Sequence, residues 1–155
     1  MSRKIDPAAA PVGSGTRYPA PFNAPCIDRH WLKLGDAAGL TQFGVNLVTL
    51  RPGVWSSQRH WHSHEDEFVY LLEGELVLVT DAGEELLVAG DSVGFKAGVK
   101  DGHCLQNRSG RNATMLCVGS RVEEDYGEYP DLDLKFTAGR YSGGGAFVHK
   151  DGTPY

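Results

Sequence analysis

Three of the chain's six histidines fall within five residues, in the stretch Arg59-His60-Trp61-His62-Ser63-His64-Glu65-Asp66-Glu67. Imidazole and carboxylate are ligands for borderline divalent metals. The stretch therefore reads as most of a metal site, with the rest of the chain folded to house it. On an extended segment, side chains two residues apart project to one face. An unbroken strand would line His60, His62 and His64 along one side. Two such donors lie about 6–7 Å apart along the strand, close enough to converge on one ion. Glu67 has the opposite parity and would turn away from them. A loop over Ser63-His64-Glu65-Asp66 removes that conflict, and the segment is polar enough to form one. Glu65 and Asp66 then read as solvated loop acids.

The surrounding signals are strand and turn. Phe43–Leu50 is β-branched and apolar and stops at Pro52-Gly53. Further strands are expected at His30–Leu34, Trp55–His62, Glu67–Leu72, Glu75–Thr80, Glu85–Val88, Ser92–Phe95, His103–Asn107 and Ala113–Gly119. Gly35–Gly39, Glu73-Gly74, Asp81-Ala82-Gly83 and Gly90-Asp91 read as turns between them. About nine short strands with frequent turns argue for an all-β sandwich or barrel. No window carries a helical period, and 20 glycines suit a turn-dense chain. Residues 1–25 hold five of the eight prolines and form an extended arm. Residues 26–120 form one barrel, and the acidic, glycine-rich segment 121–155 is an extension packed on it.

Composition narrows the functional classes. With 41% hydrophobic and 23% charged residues, the 155-residue chain is globular rather than disordered. A net charge of -5 leaves no basic footprint for nucleic acid. No apolar run approaches the ~20 residues of a membrane span, and the N-terminal segment lacks the apolar run of a signal peptide. Cys26, Cys104 and Cys117 are widely spaced without a CxxC motif, which fits reduced thiols and a cytoplasmic setting. No serine or cysteine nucleophile constellation and no dinucleotide glycine motif occurs.

The spacing His60-x-His62-x4-Glu67-x6-Gly74 resembles the first motif of the cupin superfamily, G-x5-H-x-H-x3–4-E-x6-G. Gly53 departs from it by one residue. Gly90-x5-Lys96-Ala97-Gly98-x4-His103-x3-Asn107 is similar to the second motif, G-x5-P-x-G-x2-H-x3-N, with Lys96 in place of proline and a longer loop. The chain as a whole resembles small single-domain bacterial cupins. That resemblance implies a cupin-type double-stranded β-helix (jelly-roll) barrel with extended N- and C-terminal segments. It also implies His60, His62, Glu67 and His103 as metal ligands, and a homodimer. Three neutral imidazoles and one carboxylate suit a divalent cation and leave coordination positions free; zinc, iron, manganese and nickel all remain open.

Other residues are weighed around that set. Ser56 and Gln58 share the parity of His60 and are placed to reach the lumen as substrate contacts. Asn107 shares a strand face with His103 and is expected near the metal and substrate. His64 reads either as a proton-transferring catalytic group, since histidine titrates near neutrality, or as a solvated loop residue. Phe68, Tyr70 and Leu72 face away from Glu67, Val69 and Leu71, toward the outside of the sheet or a dimer interface. Arg59 has the wrong parity for a phosphate contact, which leaves Lys96 and Lys100 as candidates. The expected function is a metal-dependent enzyme on a small polar substrate: a sugar or sugar-phosphate isomerase, an organic-acid decarboxylase or lyase, or a dioxygenase. The alternative is a non-catalytic metal cupin that binds or senses a small ligand. The alternative ligand pairing His62-x-His64-x2-Glu67 has a shorter gap than the motif allows, and replacing His60 and His64 separately by alanine separates the two assignments: elemental analysis should find metal lost from the His60 variant and kept in the His64 variant.

Overall fold

Alternation along one strand sets the inside and outside of the molecule. In Glu67–Glu73, Val69 and Leu71 are buried while Phe68, Tyr70 and Leu72 are exposed, the period of a sheet with one wet face. The computed structural model describes residues 4–155, so residues 1–3 of the expected arm lie outside the described residues. Its strands are β1 (Val12–Ser14), β2 (His30–Lys33), β3 (Phe43–Leu50), β4 (Trp61–His62), β5 (Glu67–Glu73), β6 (Glu75–Thr80) and β7 (Gly83–Val88). They continue with β8 (Ser92–Phe95), β9 (Cys104–Gln106), β10 (Ala113–Ser120), β11 (Gly127–Tyr129), β12 (Leu134–Phe136) and β13 (Phe147–Val148). Among the described residues there is one short α-helix, α1 (Leu34–Ala37), which stands where the sequence reads as a turn, and two 3-10 turns, Pro7–Ala9 and Ala24–Cys26, lie in the N-terminal segment. Among the described residues no helix is long and apolar enough to cross a membrane.

The architecture is all-β, as expected. A six-stranded sheet runs β1-β2-β3-β10-β5-β8, and a three-stranded sheet runs β7-β6-β9. Every pairing in both is antiparallel. The main core lies between these sheets, where Leu50, Leu71, Leu76 and Met115 are almost wholly buried. Each such side chain contributes about 1.5–3 kcal/mol relative to an exposed one. A third sheet, β13-β12-β11-β4, is built by the C-terminal segment on the two residues of β4. Tyr129, Leu134 and Phe136 form a second apolar cluster there, and Tyr18 and Phe22 of the N-terminal segment pack against it.

One expected strand differs. Trp55–His62 is continuous by sequence pattern, yet only Trp61–His62 is strand. The segment touches its neighbour through isolated bridges at Trp55↔Gln106 and His60↔His103. Between them Ser56 stays bonded to Leu105 of that neighbour through its amide, at 2.8 Å, and its hydroxyl, while Arg29 takes its carbonyl and the Gln58 side chain donates to the Phe22 carbonyl at 2.7 Å.

Two glycines permit close backbone approaches between strands. Gly74, between β5 and β6, has φ +83, and a Cβ there would stand 2.7 Å from the Asn112 carbonyl oxygen. Gly127 pairs with His62, and a Cβ on it would collide with the Trp61 carbonyl and the Phe136 ring. Replacing Gly74 by alanine should therefore lower the unfolding free energy by about 1–3 kcal/mol. A denaturant titration that finds no change would show that the turn relaxes without cost.

Candidate metal centre

His60 and His62 are brought together by different neighbours. His60 is fixed by a two-way backbone exchange with His103, whose amide donates to the His60 carbonyl at 2.9 Å while the His60 amide donates back at 3.1 Å. His62 sits in β4, held by β11. Past them, Ser63–Asp66 forms a loop, so Glu67 re-enters the sheet with its odd-numbered side chain facing inward. The result is a cluster at one end of the barrel. His60 Nε2 and His62 Nε2 lie 3.1 Å apart, His103 Nε2 lies 2.8 Å from Glu67 Oε2, and that same oxygen is 3.6 Å from His62 Nε2 and 3.9 Å from His60 Nε2.

The outer nitrogens determine the chemistry of this cluster. His60 Nδ1 lies 2.9 Å from the Gln58 carbonyl oxygen, and His62 Nδ1 lies 2.7 Å from Asp125 Oδ2. Both partners only accept, so both Nδ1 atoms carry protons. In the neutral rings, two Nε2 lone pairs then face one another at contact distance. Something positive must stand between them. A proton on His62 would satisfy the pair alone, whereas a divalent ion would engage Glu67 and His103 as well. Two nitrogens each about 2.1 Å from one ion and at right angles lie about 3 Å apart, which matches the observed spacing. The cluster could hold a metal ion, and His60, His62 and Glu67 offer ligand atoms all within 4.8 Å of one another.

Electrostatics point the same way. Burial, with the neighbouring imidazoles, pulls His60 down to about 3, so it stays neutral. Burial alone would raise Glu67, but the bond from His103 and the nearby histidines hold it well below the usual carboxylate range. Burial also opposes charge on His62 and Asp125; their mutual bond outweighs it, lifting His62 and depressing Asp125. The His103 ring lies flat on Phe95 at 3.5 Å, and its buried Nδ1 has no partner. Tyr129 stacks on His60 and Phe136 tilts against His62. These rings and the cluster together line a cavity of about 1060 Å³.

A buried network that the sequence did not reveal stands behind His62. Glu65, expected to be solvated, is 5% exposed. It accepts from the Val122 amide at 2.9 Å and the Tyr141 hydroxyl at 2.7 Å, and pairs with Arg140. Asp125 is fully buried and accepts from His62, from the His64 amide at 2.9 Å and from Arg140 at 3.0 Å. Although His62, Glu65 and Asp125 are spaced closely enough for a metal, Arg140 already supplies the positive charge there. Asp66 stays exposed but caps the Ala97 amide at 2.8 Å. No sequence spacing distinguishes Asp125 from the acids beside it, and Arg140 and Tyr141 lie beyond the recognisable motifs.

The remaining expected residues divide. Ser56 lines the cavity, its hydroxyl accepting from the Leu105 amide at 3.0 Å. Gln58 does not join the cavity, because its amide is turned onto Phe22 of the arm. Asn107 is fully buried away from the cluster. It donates to the carbonyls of Leu50 and Arg111 at 2.8 Å and accepts from Ser109, so it ties a turn. His64 is exposed, bonded to the Ser63 hydroxyl at 2.8 Å, and does not reach the cavity. Arg59 is engaged by Asp81 and Asp131, and Lys100 lies over the Trp61 ring. Cys26, Cys104 and Cys117 are free thiols.

Residues 46–119 match the model of the Cupin domain family. A crystal structure of a sugar phosphate isomerase of the cupin superfamily from Silicibacter pomeroyi shares 45% identity over 99% of this chain and 96% of that one, with a TM-score of 0.93. The chain belongs to the cupin superfamily. A proposed sugar phosphate isomerase from Acidithiobacillus ferrooxidans matches at 28% identity and TM-score 0.75, covering 83% of this chain and 80% of its own. The polyketide cyclase RemF from Streptomyces resistomycificus, at 20% identity and TM-score 0.63, covers 77% of this chain and 80% of its own and shares the fold. No curated protein matches the sequence. In this cupin the side chains of His60, His62, Glu67 and His103, the four that the resemblance implies, lie together in one cluster. Changing Asp125 to Asn removes the acceptor charge on His62 Nδ1 and should weaken divalent-metal affinity by about 10–100-fold. Competitive chelator titration measures this, with circular dichroism to confirm that the fold persists.

Proposed function

We propose that this cupin is a metal-dependent enzyme acting on a small polar substrate, and specifically an isomerase of sugar phosphates, with His60, His62, Glu67 and His103 holding one divalent ion. The observation that carries the metal is the pair of Nε2 atoms facing each other at 3.1 Å beside a carboxylate. The reaction class is supported by the 45% identical relative, which is a sugar phosphate isomerase. When bound, such an ion supplies Lewis-acid polarisation of a carbonyl oxygen without a redox step. The cavity of about 1060 Å³ provides room for a sugar-sized molecule against the cluster. Tyr129, Phe95 and Phe136 keep bulk water from the imidazoles. Burial keeps Tyr18 protonated, pushed up to about 12, and also raises Tyr129 well above the ordinary phenol value. Both phenols line the cavity, where they offer hydrogen bonds to sugar oxygens and do not act as bases at neutral pH.

Metal analysis of the purified protein, followed by NMR of a panel of aldose and ketose phosphates, tests this reading. The expected result is one bound first-row ion per chain and interconversion of one aldose–ketose pair. Replacing His103 by alanine should reduce the rate by more than the roughly 10–100-fold that changes outside the ligand set cost. Oxygen uptake or carbon dioxide release instead of isomerisation would move the assignment to a dioxygenase or a decarboxylase. Tight ligand binding with no turnover would favour the sensor role.

A further inference from the structure

The cavity is lined by five cations, and they are not equivalent. Arg121 is paired with Asp36, and Arg140 with Glu65 and Asp125. Arg29, Arg17 and Lys33 have no carboxylate partner among the described residues. Of these, Arg29 is held most firmly. One Nη donates to the Ser56 carbonyl and the other to the Gly15 carbonyl at 3.2 Å, and the guanidinium lies 4.8 Å over the Trp31 ring. Its Nε–H is buried with no hydrogen-bond partner among the described residues. Leaving a charged donor buried and unsatisfied is costly unless something else accepts from it. Neutral carbonyls orient this cation without neutralising it, so its charge acts on the cavity.

The position of Arg29 ties it to the metal cluster. Its charge favours the ionised forms of Tyr18 and Tyr129, although burial dominates and raises both. The two rings meet edge to face at 5.4 Å, and Tyr129 in turn stacks on His60. A ligand spanning the cavity therefore meets imidazoles and carboxylate at one end, phenols in between, and a preoriented guanidinium beyond them.

We infer that Arg29 is the anchor for an anionic group of the substrate, a phosphate, with Arg17 and Lys33 adding charge around it. A guanidinium with free N–H groups matches phosphate geometry, and charge-assisted bonds of this kind are about twice as strong as neutral ones. Of the lysines expected from the sequence, Lys100 is engaged with Trp61, and Lys96 lines a separate cavity of about 210 Å³ beside His62 and His103 and not the main one. The inference deepens the sugar-phosphate reading and rests on it for the identity of the substrate, but its test requires neither metal nor turnover.

Inorganic phosphate is titrated into metal-free protein, so that direct metal coordination plays no part. Binding is followed by calorimetry and by the Arg29 Nε–H resonance in proton–nitrogen NMR. Saturable binding with a shift of that resonance is expected. R29Q should weaken binding by about tenfold to a hundredfold, and R29K should retain more of it than R29Q does. The wild-type resonance keeps the test valid even if R29Q loosens the arm. The inference is overturned if phosphate does not bind, if the Nε–H resonance stays unmoved, or if R29Q binds as wild type does, which would leave Arg29 as a clamp on the arm. Malonate binding more tightly than phosphate would overturn the choice of phosphate. Phosphate binding at Arg29 without isomerisation of any sugar phosphate would support this inference and sink the reaction proposed above.

Discussion

Two ring nitrogens at 3.1 Å, each on a ring whose other nitrogen is bonded to an acceptor behind it, set the terms for the rest of this molecule. Such an arrangement repels itself unless positive charge occupies the gap. Its persistence depends on what holds each ring from outside: the Gln58 carbonyl for His60 and the Asp125 carboxylate for His62. The barrel brings Glu67 and His103 to the same point through β5 and the approach to β9. The barrel alone does not complete the site, because Asp125 belongs to the segment after β10.

Buried charge behind His62 is balanced within a small space. Two carboxylates, Glu65 and Asp125, are almost without solvent contact. They are tolerated because a single guanidinium, Arg140, lies against both and because backbone amides and the Tyr141 hydroxyl fill their remaining lone pairs. The same guanidinium packs on the Phe136 face at 4.8 Å. Local neutralisation here leaves the field in the cavity to be set by groups that lack such partners, with Arg29 foremost among them.

How much of this could be read from the sequence follows the range of the interactions. Strand β3 and strand β6 coincide with their expected ranges, because alternation and turn residues are local signals. The grouping of His60, His62, Glu67 and His103 was legible through the resemblance to two motifs, and the parity conflict at Glu67 correctly implied the loop before it. Asn107 was misplaced because shared parity with His103 says which face a side chain takes but not how far along the strand the cavity extends. Glu65 was read as solvated because its burial depends on Arg140 and Tyr141, 75 and 76 residues away. Arg29 and Tyr18 stood in a proline-rich segment whose path over the barrel leaves no periodic trace. Contacts that join distant segments through single side chains were the part the sequence left hidden.

The pairing of β4 with β11 gives the C-terminal segment an influence disproportionate to its size. A strand of only two residues carries one histidine of the cluster, and its hydrogen-bonding neighbour lies in that segment. The acceptor for the same histidine lies two residues before β11. The segment is thus the outer wall of the site as well as a cover for the barrel. Substitutions spread along it can retune the basicity and tilt of His62 while all four motif side chains stay unchanged. Relatives that share the motifs but differ in this segment would then differ in metal preference, and a chimera exchanging only residues 121–155 would carry that preference with it.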